Sequence, residues 1–381
     1  MAYFDNAATT FPKPECVYSS MDTFYRKSGA NAGRGNYGMA QTAGELISDT
    51  RERIKKILNC PAKQVFFEPT ATIALNIIIQ GIINLGITNV YISPFEHNAV
   101  TRTLYHFEKQ GIVKVHQLYV SSDMNYDLSR IQYQFDSVKP DFVIVSHASN
   151  VFGLIAPVQD IFMLAKRYDA YTLLDMSQTA GLVDINMGLN IYDFSVFAGH
   201  KTLYGPTGIS GFVMNPEIKL PSVFFGGTGY ESAYQEMPEN LPERFEVGTM
   251  NVLGIAGLNA ALRWIEEQSI ELLRNTEKGN RERLIKILND YDFVTIVGNY
   301  KEQNYVGIVS CLIQGISSDS AGLIFDRCDI AVRTGLHCAP LAHQFMNTFP
   351  AGTVRFSVNF FTSDKDFEQL RKALGYIEDN L

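Results

Sequence analysis

Two residues near the middle of the chain could carry chemistry together. Lys201 lies in a glycine-rich and aromatic loop, residues 199–208 (GHKTLYGPTG), and Asp175 ends a short apolar run. A lysine amine removed from water has a lowered pKa and can form a Schiff base with an aldehyde. An acid that ends a buried strand could coordinate a metal, orient a histidine or hold a proton on a ring nitrogen. No Asp, Glu or His cluster accompanies Asp175 in sequence, which disfavours a metal. The pair matches what pyridoxal phosphate requires.

Three further loops follow predicted strands and contain polar residues that a simple turn does not need. Residues 69–72 (PTAT) could cap a helix, or could bind a phosphate through backbone N–H groups. His97 could be structural, or could enter a site as a stacking surface or proton carrier. Asn150 could donate its amide to a carboxylate, or belong to a turn. Because ligands of open parallel sheets bind beside the carboxyl ends of strands, these loops are candidates for one site.

The composition limits the classes of protein to which the chain can belong. Its 381 residues include 32 Lys and Arg and 40 Asp and Glu, and the formal net charge of −8 argues against nucleic-acid or anionic-membrane binding. The five cysteines form no Cys-x-x-Cys pair and are scattered at Cys16, Cys60, Cys311, Cys328 and Cys338. This pattern excludes a disulfide-dense scaffold, disfavours a thiolate zinc site and fits a reducing compartment.

No targeting or membrane-spanning segment is visible in the sequence. The first ten residues lack a basic-then-apolar pattern. The most apolar run, residues 73–87, is interrupted by polar residues and is shorter than the ~20 residues that a membrane span needs. We therefore expect a soluble, cytoplasmic protein.

Short apolar runs alternate with helical patterns through much of the chain. The predicted strands are residues 65–67, 90–93, 113–118, 142–146, 171–175, 194–197 and 209–213. The predicted helices are residues 43–58, 72–84, 97–110 and 158–168. This alternation is typical of an α/β fold in which helices sandwich a mostly parallel sheet.

The pattern changes after about residue 248. The predicted helices there are residues 252–273, 278–289, 320–328 and 364–378, and the predicted strands are residues 293–297, 307–312 and 353–357. Strands and helices mixed on this scale indicate a smaller C-terminal α+β domain. The polar, proline-containing N-terminus is predicted to be an arm rather than a domain.

Six motifs stand in order along nearly the whole chain. They are residues 4–10 (FDNAATT), 146–153 (SHASNVFG), 175–178 (DMSQ), 199–208 (GHKTLYGPTG), 333–340 (RTGLHCAP) and 354–357 (VRFS). This ordered set resembles the cysteine desulfurase family of class V aminotransferases, which have pyridoxal-phosphate (PLP) fold type I; an ordered set is far more specific than one short motif. The resemblance implies a large cofactor domain at residues 15–250. It also implies a small domain at residues 251–381, with the arm, residues 1–14, packed on it.

The resemblance also implies a role for each matching residue. Lys201 would bind the aldehyde of pyridoxal 5'-phosphate and then move the substrate Cα proton, while Cys338 would accept the sulfur as a persulfide. Arg333 would line the pocket entrance, and Asn150 and Arg355 would hold the substrate carboxylate. The residues implied for the cofactor are Asp175 at the pyridine nitrogen, Gln178 at the ring hydroxyl, His97 on the ring face, Ala71, Thr72 and His200 at the phosphate, and Thr228 at the phosphate of a neighbouring subunit.

The implied reaction converts L-cysteine into L-alanine in a homodimer, without a metal. The attack by Cys338 requires a thiolate, which Arg333 or His337 could favour. Three alternatives stay open: a selenocysteine lyase, a class V aminotransferase or C–S lyase in which Cys338 is incidental, and a cofactor-binding scaffold without turnover. The sequence does not name the sulfur acceptor. Cys60, Cys311 and Cys328 are expected to be buried and inert.

Three departures from the family pattern carry expectations of their own. Thr70 stands where many relatives have glycine, which limits a positive φ angle there, and Ile73 removes a polar group. Ala198 replaces a serine or threonine, so we expect one phosphate hydrogen bond fewer and a lower cofactor affinity. The short segment of residues 336–341 resembles the branch with a compact cysteine loop. We therefore expect the sulfur acceptor to approach the enzyme.

Overall fold

The computed structural model describes residues 1–32 and 35–380. Within them the largest sheet has seven strands, in the spatial order β2 (Gln64–Glu68), β8 (Ser210–Met214), β7 (Phe194–Ala198), β6 (Tyr171–Asp175), β5 (Phe142–Ser146), β3 (Asn89–Ile92) and β4 (Lys114–Gln117). Among these seven strands, β8 is the one that runs in the direction opposite to the other six. The predicted mostly parallel sheet is therefore confirmed.

Helices cover both faces of this sheet. In chain order, the helices of the described residues are α1 (Glu15–Ser28), α2 (Gly38–Ile57), α3 (Ala71–Ile83), α4 (Asn98–Lys109), α5 (Leu128–Ser137), α6 (Val158–Lys166), α7 (Val252–Gln268), α8 (Ile270–Asn289), α9 (Ser318–Arg327), α10 (Pro340–Phe345) and α11 (Asp364–Asn380). Successive strand residues point to opposite faces, so Phe142 and Ile144 join one core while Val143 and Val145 join the other. This two-sided burial explains why the strands are unbroken apolar runs.

Two smaller sheets lie in the remainder of the described chain. One is antiparallel, in the spatial order β12 (Arg333–Gly335), β13 (Thr353–Ser357), β10 (Ile308–Ile313) and β9 (Val294–Val297). In the other, β1 (Ala2–Tyr3) pairs in parallel with β11 (Ile330–Ala331). The N-terminal residues thus lie against the C-terminal third of the chain. The boundary at residue 250 stays a prediction, and residue 381 lies outside the described residues.

The structure corrects the sequence predictions in three places. The helix predicted over residues 252–273 is wrong at its end, because Ser269 has a φ angle of 71° and separates α7 from α8. The Ser269 side chain accepts a hydrogen bond from the Leu272 N–H and so begins α8. Helices α1, α5 and α10 are missing from the predicted elements. Cys60 and Cys311 are buried as expected, whereas Cys328 is half-buried, so that expectation was wrong.

Membrane insertion through a helix has no support in residues 1–32 and 35–380, where no helix is both long and apolar enough to cross a bilayer.

Candidate active site

A cavity of about 300 Å³ opens where β5, β6 and β7 end. The predicted site residues that line it are Ala71, Thr72, His97, Asn150, Asp175, Gln178, His200, Lys201, Arg333, Cys338 and Arg355. A larger groove of about 710 Å³, bordered by Lys56 and Arg274, contains none of them. The fold therefore brings together every predicted site residue except Thr228.

Lys201 and Asp175 both border this cavity. Loss of surrounding water lowers the pKa of Lys201 to about 8, and the Asp175 carboxylate partly opposes this effect. Asp175 Oδ1 accepts a hydrogen bond from the Ser177 N–H at 2.9 Å, which fixes the carboxylate at the end of β6. An amine with this pKa can exchange a proton near neutral pH.

His97 caps the first turn of α4 and lines the same cavity. Its Nδ1 accepts a hydrogen bond from the Ala99 N–H at 3.0 Å. Burial, together with the positive charge of Lys201, lowers the pKa of His97 to about 4. The ring is therefore neutral at physiological pH, and because Nδ1 is an acceptor, Nε2 carries the proton.

The N-terminus of α3 and the side chain of His200 offer donors to an anion. The N–H groups of Ala71 and Thr72, in the first turn, have no acceptor inside the helix. Within the described residues, the buried His200 Nδ1 has no hydrogen-bond partner. Thr70 precedes the helix with a φ angle of −146°, so this position does not need glycine. These donors suit a phosphate group.

Arg355 is 1% exposed, and its guanidinium has two partners. Nη1 donates to the Asn150 backbone oxygen at 2.8 Å, and Nη2 donates to Asp5 Oδ1 at 2.9 Å. The Asn150 amide in turn donates to the His337 backbone oxygen at 2.6 Å. Asp5 belongs to the motif of residues 4–10, and no role was predicted for it from the sequence. Its place in the first of the six ordered motifs was the only sequence signal for a role in the site.

The Cys338 thiol contacts a positive charge. Arg333 Nη2 lies 3.5 Å from Sγ of Cys338. His337, the other residue considered for this role, is buried, and burial lowers its pKa to about 2, so its ring is neutral. Its Nε2 is hydrogen-bonded to Thr353 Oγ1 at 2.9 Å. Arg333 is therefore the better source of charge for a thiolate.

The backbone around Cys338 is strained and pinned. His337 and Cys338 have φ angles of 48° and 58°, a region that residues with side chains rarely adopt. The Cys338 carbonyl oxygen accepts a hydrogen bond from the Asn98 N–H at 2.7 Å. Because α4 begins at Asn98, this bond ties the cysteine loop to the helix that His97 caps. The backbone of Cys338 is thus anchored to α4 beside the cavity.

Two residues stand apart from the predicted constellation. Thr228 lines a different cavity, of about 530 Å³, with Arg51 and Glu246. Glu96 was not predicted as a site residue, yet it is fully buried beside His97 and accepts hydrogen bonds from the Ser146 N–H at 2.6 Å and the Ser146 hydroxyl at 2.7 Å. Burial raises the pKa of Glu96 to about 8. Its place before His97 was the only sequence signal.

Comparison with known proteins identifies the family of this chain. The Aminotransferase class-V family model matches residues 2–370, so the chain belongs to that family. A Pyrococcus abyssi protein named "Probable cysteine desulfurase" is 28% identical over 99% of this chain and 93% of its own length. A protein of the same name from Halalkalibacterium halodurans is 28% identical over 98% of this chain and 92% of its own length.

A solved structure has the same fold over the whole chain. The apo cysteine desulfurase from Thermococcus onnurineus NA1 superposes with a TM-score of 0.91 and 27% sequence identity, covering 100% of this chain and 95% of its own. The fold-class prediction of an α/β protein with PLP fold type I is therefore confirmed, as is the resemblance to cysteine desulfurases.

Proposed function

We propose that this chain is a PLP-dependent cysteine desulfurase. It would convert L-cysteine into L-alanine and take the sulfur onto Cys338 as a persulfide. The observation that carries the proposal is that one cavity holds both the Lys201 amine and the Cys338 thiol, with an arginine at the sulfur. The names of the full-length relatives favour this activity over the alternatives, in which Cys338 has no part or selenium is the substrate atom.

The residues present fit pyridoxal phosphate. The α3 N-terminus, Thr72 and the orphaned His200 Nδ1 would hold the phosphate, and Asp175 would pair with the pyridine nitrogen. His97, neutral and fixed by Ala99, would lie on the ring face. Gln178 would contact the ring hydroxyl; its Nε2 donates to the Ala7 oxygen at 2.9 Å. When bound, the cofactor supplies an electron sink for a carbanion at the substrate Cα.

The chain's own groups would then carry the protons and the sulfur. Lys201, with its pKa of about 8, would take the Cα proton and later return a proton to the product. Arg355 and Asn150 would hold the substrate carboxylate. The Cys338 thiolate would attack the substrate sulfur: an S–S bond forms and the substrate C–S bond breaks. The electron pair of that bond stays on Cβ, which gains a proton and becomes the methyl group of alanine.

The cofactor residues and the residues that would bind the substrate sulfur and carboxylate come from different parts of the chain. We propose that residues 15–250 form the cofactor domain, because they supply Lys201 and Asp175. Residues 251–381 would form the small domain that brings Cys338 and Arg355, with the arm, residues 1–14, packed on it. The cavity would lie between them, so closure of the domains would exclude water from the cofactor.

We further propose a homodimer in a reducing, cytoplasmic compartment. Thr228 lies outside the cavity, and Phe224 and Phe225 near it are 48% and 75% exposed. A second subunit would cover these aromatics, and Thr228 would contact that subunit's phosphate. Light scattering should give twice the mass of 42.7 kDa, and Thr228→Ala should weaken cofactor binding. A monomer with unchanged cofactor affinity would contradict this arrangement.

The sulfur acceptor would be a protein that approaches the persulfide. The hydrogen bond from the Asn98 N–H to the Cys338 carbonyl oxygen supports this proposal, because it holds the cysteine loop at the cavity.

Alanine and sulfide release from L-cysteine, in the presence of a reductant, tests the function. The wild-type holoenzyme should produce both, Cys338→Ala should lose at least about tenfold in rate, and Lys201→Ala should lose the absorbance of the Schiff base between Lys201 and the cofactor. Equal rates with and without the Cys338 thiol would remove the persulfide mechanism. A parallel measurement with L-selenocysteine compares the nearest alternative. If the Schiff-base absorbance persisted in Lys201→Ala, the cofactor assignment would be overturned.

A further inference from the structure

The arginine assigned to the substrate carboxylate is held by the N-terminal arm. Asp5 Oδ1 accepts a hydrogen bond from Arg355 Nη2 at 2.9 Å, and the two residues are 350 positions apart in the sequence. The Arg355 side chain is 2% exposed, and that of Asp5 is 23% exposed. A buried guanidinium with one carboxylate partner has its charge compensated and its orientation fixed.

One nitrogen of this guanidinium remains without a partner. Nη1 donates to the Asn150 backbone oxygen at 2.8 Å, so two fixed acceptors define the guanidinium plane. Within the described residues, the buried Arg355 Nε has no hydrogen-bond partner. Arg355 borders the cavity, and Nε is its one guanidinium nitrogen without a partner among the described residues.

The Asp5 carboxylate is itself held firmly, because its neighbours are bonded to β13, the strand that contains Arg355. The Phe4 oxygen accepts from the Ser357 N–H at 2.6 Å, the Asn6 amide donates to the Ser357 oxygen at 2.8 Å, and the Ala7 N–H donates to Ser357 Oγ at 2.8 Å. Hydrogen bonds therefore connect the arm to the strand on both sides of Asp5. Asp5 is placed as an integral part of the site and not as a mobile surface acid.

We propose that Asp5 is a positioning residue for substrate recognition: it holds the Arg355 guanidinium so that Nε–H faces the carboxylate of the amino-acid substrate. The inference rests on the proposed function, since it assigns Arg355 to that carboxylate. Without Asp5 the guanidinium would lose one of its two anchors and rotate away from the binding geometry. The affinity for ligands with a carboxylate would therefore fall. The affinity for analogues that lack the carboxylate would stay the same.

The experiment compares L-alanine with L-alaninamide, which has the amine but no carboxylate. Binding of each to the PLP-loaded enzyme is followed by the change in the cofactor's visible absorbance. Asp5→Ala should weaken the binding of L-alanine by about tenfold, which is the equivalent of one charge-assisted hydrogen bond. The affinity for L-alaninamide should stay within about twofold of the wild-type value. In turnover of L-cysteine, KM should rise about tenfold while kcat changes by less than about threefold.

Two further variants sharpen the result. Asp5→Asn retains an oxygen acceptor for Nη2 and should restore most of the L-alanine affinity, which keeps the test valid if Asp5→Ala folds poorly. Asp22→Ala is the matched control, because Asp22 is an exposed acid of α1 whose ion-pair partner is the exposed Arg26; both affinities should stay unchanged.

The outcomes separate this inference from the proposed function. If Asp5→Ala leaves the ratio of the two affinities unchanged, whether both are retained or both fall, Asp5 has no positioning role. If the wild-type enzyme itself binds the two ligands equally, Arg355 is not a carboxylate site, and the proposed function loses its substrate subsite. If the wild-type enzyme binds L-alanine much more tightly than L-alaninamide and Asp5→Ala reduces this ratio, the proposed function and the positioning role of Asp5 are both supported.

Discussion

The guanidinium of Arg333 lies 3.5 Å from the Cys338 sulfur. Arg333 begins β12, and Cys338 follows that strand in a loop whose backbone is held by Asn98. The charge at the sulfur therefore comes from a residue whose backbone belongs to a sheet. A cation beside a thiol favours the anionic form of the nucleophile.

Replacing Arg333 by methionine should slow the reaction of Cys338. The variant loses a charge-assisted hydrogen bond to the thiolate, worth about 1.5–3 kcal/mol, so alkylation of Cys338 by iodoacetamide at pH 7.5 should slow about tenfold or more. Peptide mass spectrometry reports the modification of this cysteine separately from the other four. Arg102→Met, at an exposed position of α4, is the control and should react as the wild type does. An unchanged rate for Arg333→Met would show that the contact does not activate the sulfur.

Gly352→Ala should displace the cysteine loop. Gly352 has a φ angle of 71°, and a Cβ there would lie 2.2 Å from the Gly335 backbone, so β12 must shift. Because Cys338 follows β12, alanine production should fall at least about tenfold while the cofactor absorbance is retained. Gly375→Ala in α11 is the control: its Cβ would meet nothing within 4 Å, and the substitution should be neutral or stabilising. Full activity in Gly352→Ala would mean that the loop tolerates displacement.

Thr70→Gly should not improve cofactor binding, although relatives often have glycine there. Thr70 has extended backbone, and its Oγ1 accepts a hydrogen bond from the Ile73 N–H at 3.2 Å. Thr70→Ala should therefore lower the free energy of unfolding by about 0.5–2 kcal/mol, and Thr70→Gly by less, because glycine is tolerated at an N-cap. Urea denaturation and cofactor titration measure the two quantities. Tighter cofactor binding in Thr70→Gly would mean that Thr70 does limit the conformation of the phosphate-binding loop.

Glu96→Gln should change how stability depends on pH. Burial raises the folded-state pKa of Glu96 from 4.5 to about 8, and Asp175 adds to this effect. Between these values the folded protein holds a proton that the unfolded chain releases, so the stabilising contribution is complete below pH 4.5 and is lost as pH rises through 8. Glutamine keeps the contacts with Ser146 without titrating.

Denaturation of the wild type and Glu96→Gln at pH 5 and pH 9 measures this effect. From pH 5 to pH 9, the free energy of unfolding of Glu96→Gln should rise by more than about 1 kcal/mol relative to that of the wild type. The comparison of the two proteins cancels the titration of other buried acids such as Glu68, whose pKa burial also raises. A constant difference would mean that Glu96 does not titrate in this range.

Local sequence was sufficient for much of the fold and for the membership of the site. The strand of residues 142–146 was predicted with the bounds that the structure has, because a strand buried on both faces must be an unbroken apolar run. Asp175 was recognisable because it ends such a run, and His97 and Lys201 because they follow one. The break at Ser269 was missed, since the flanking residues have helical periodicity and a single positive φ angle leaves no mark on that pattern.

The sequence by itself determined the α/β architecture and the residues that could do chemistry, since both depend on side-chain type and on spacing along the chain. Only the tertiary structure decided how those residues act on one another. It pairs Asp5 with Arg355 across 350 positions, assigns the sulfur contact to Arg333 rather than His337, and locates Thr228 away from the cavity. These relationships depend on distance, burial and hydrogen-bond direction, which arise only when remote segments pack together.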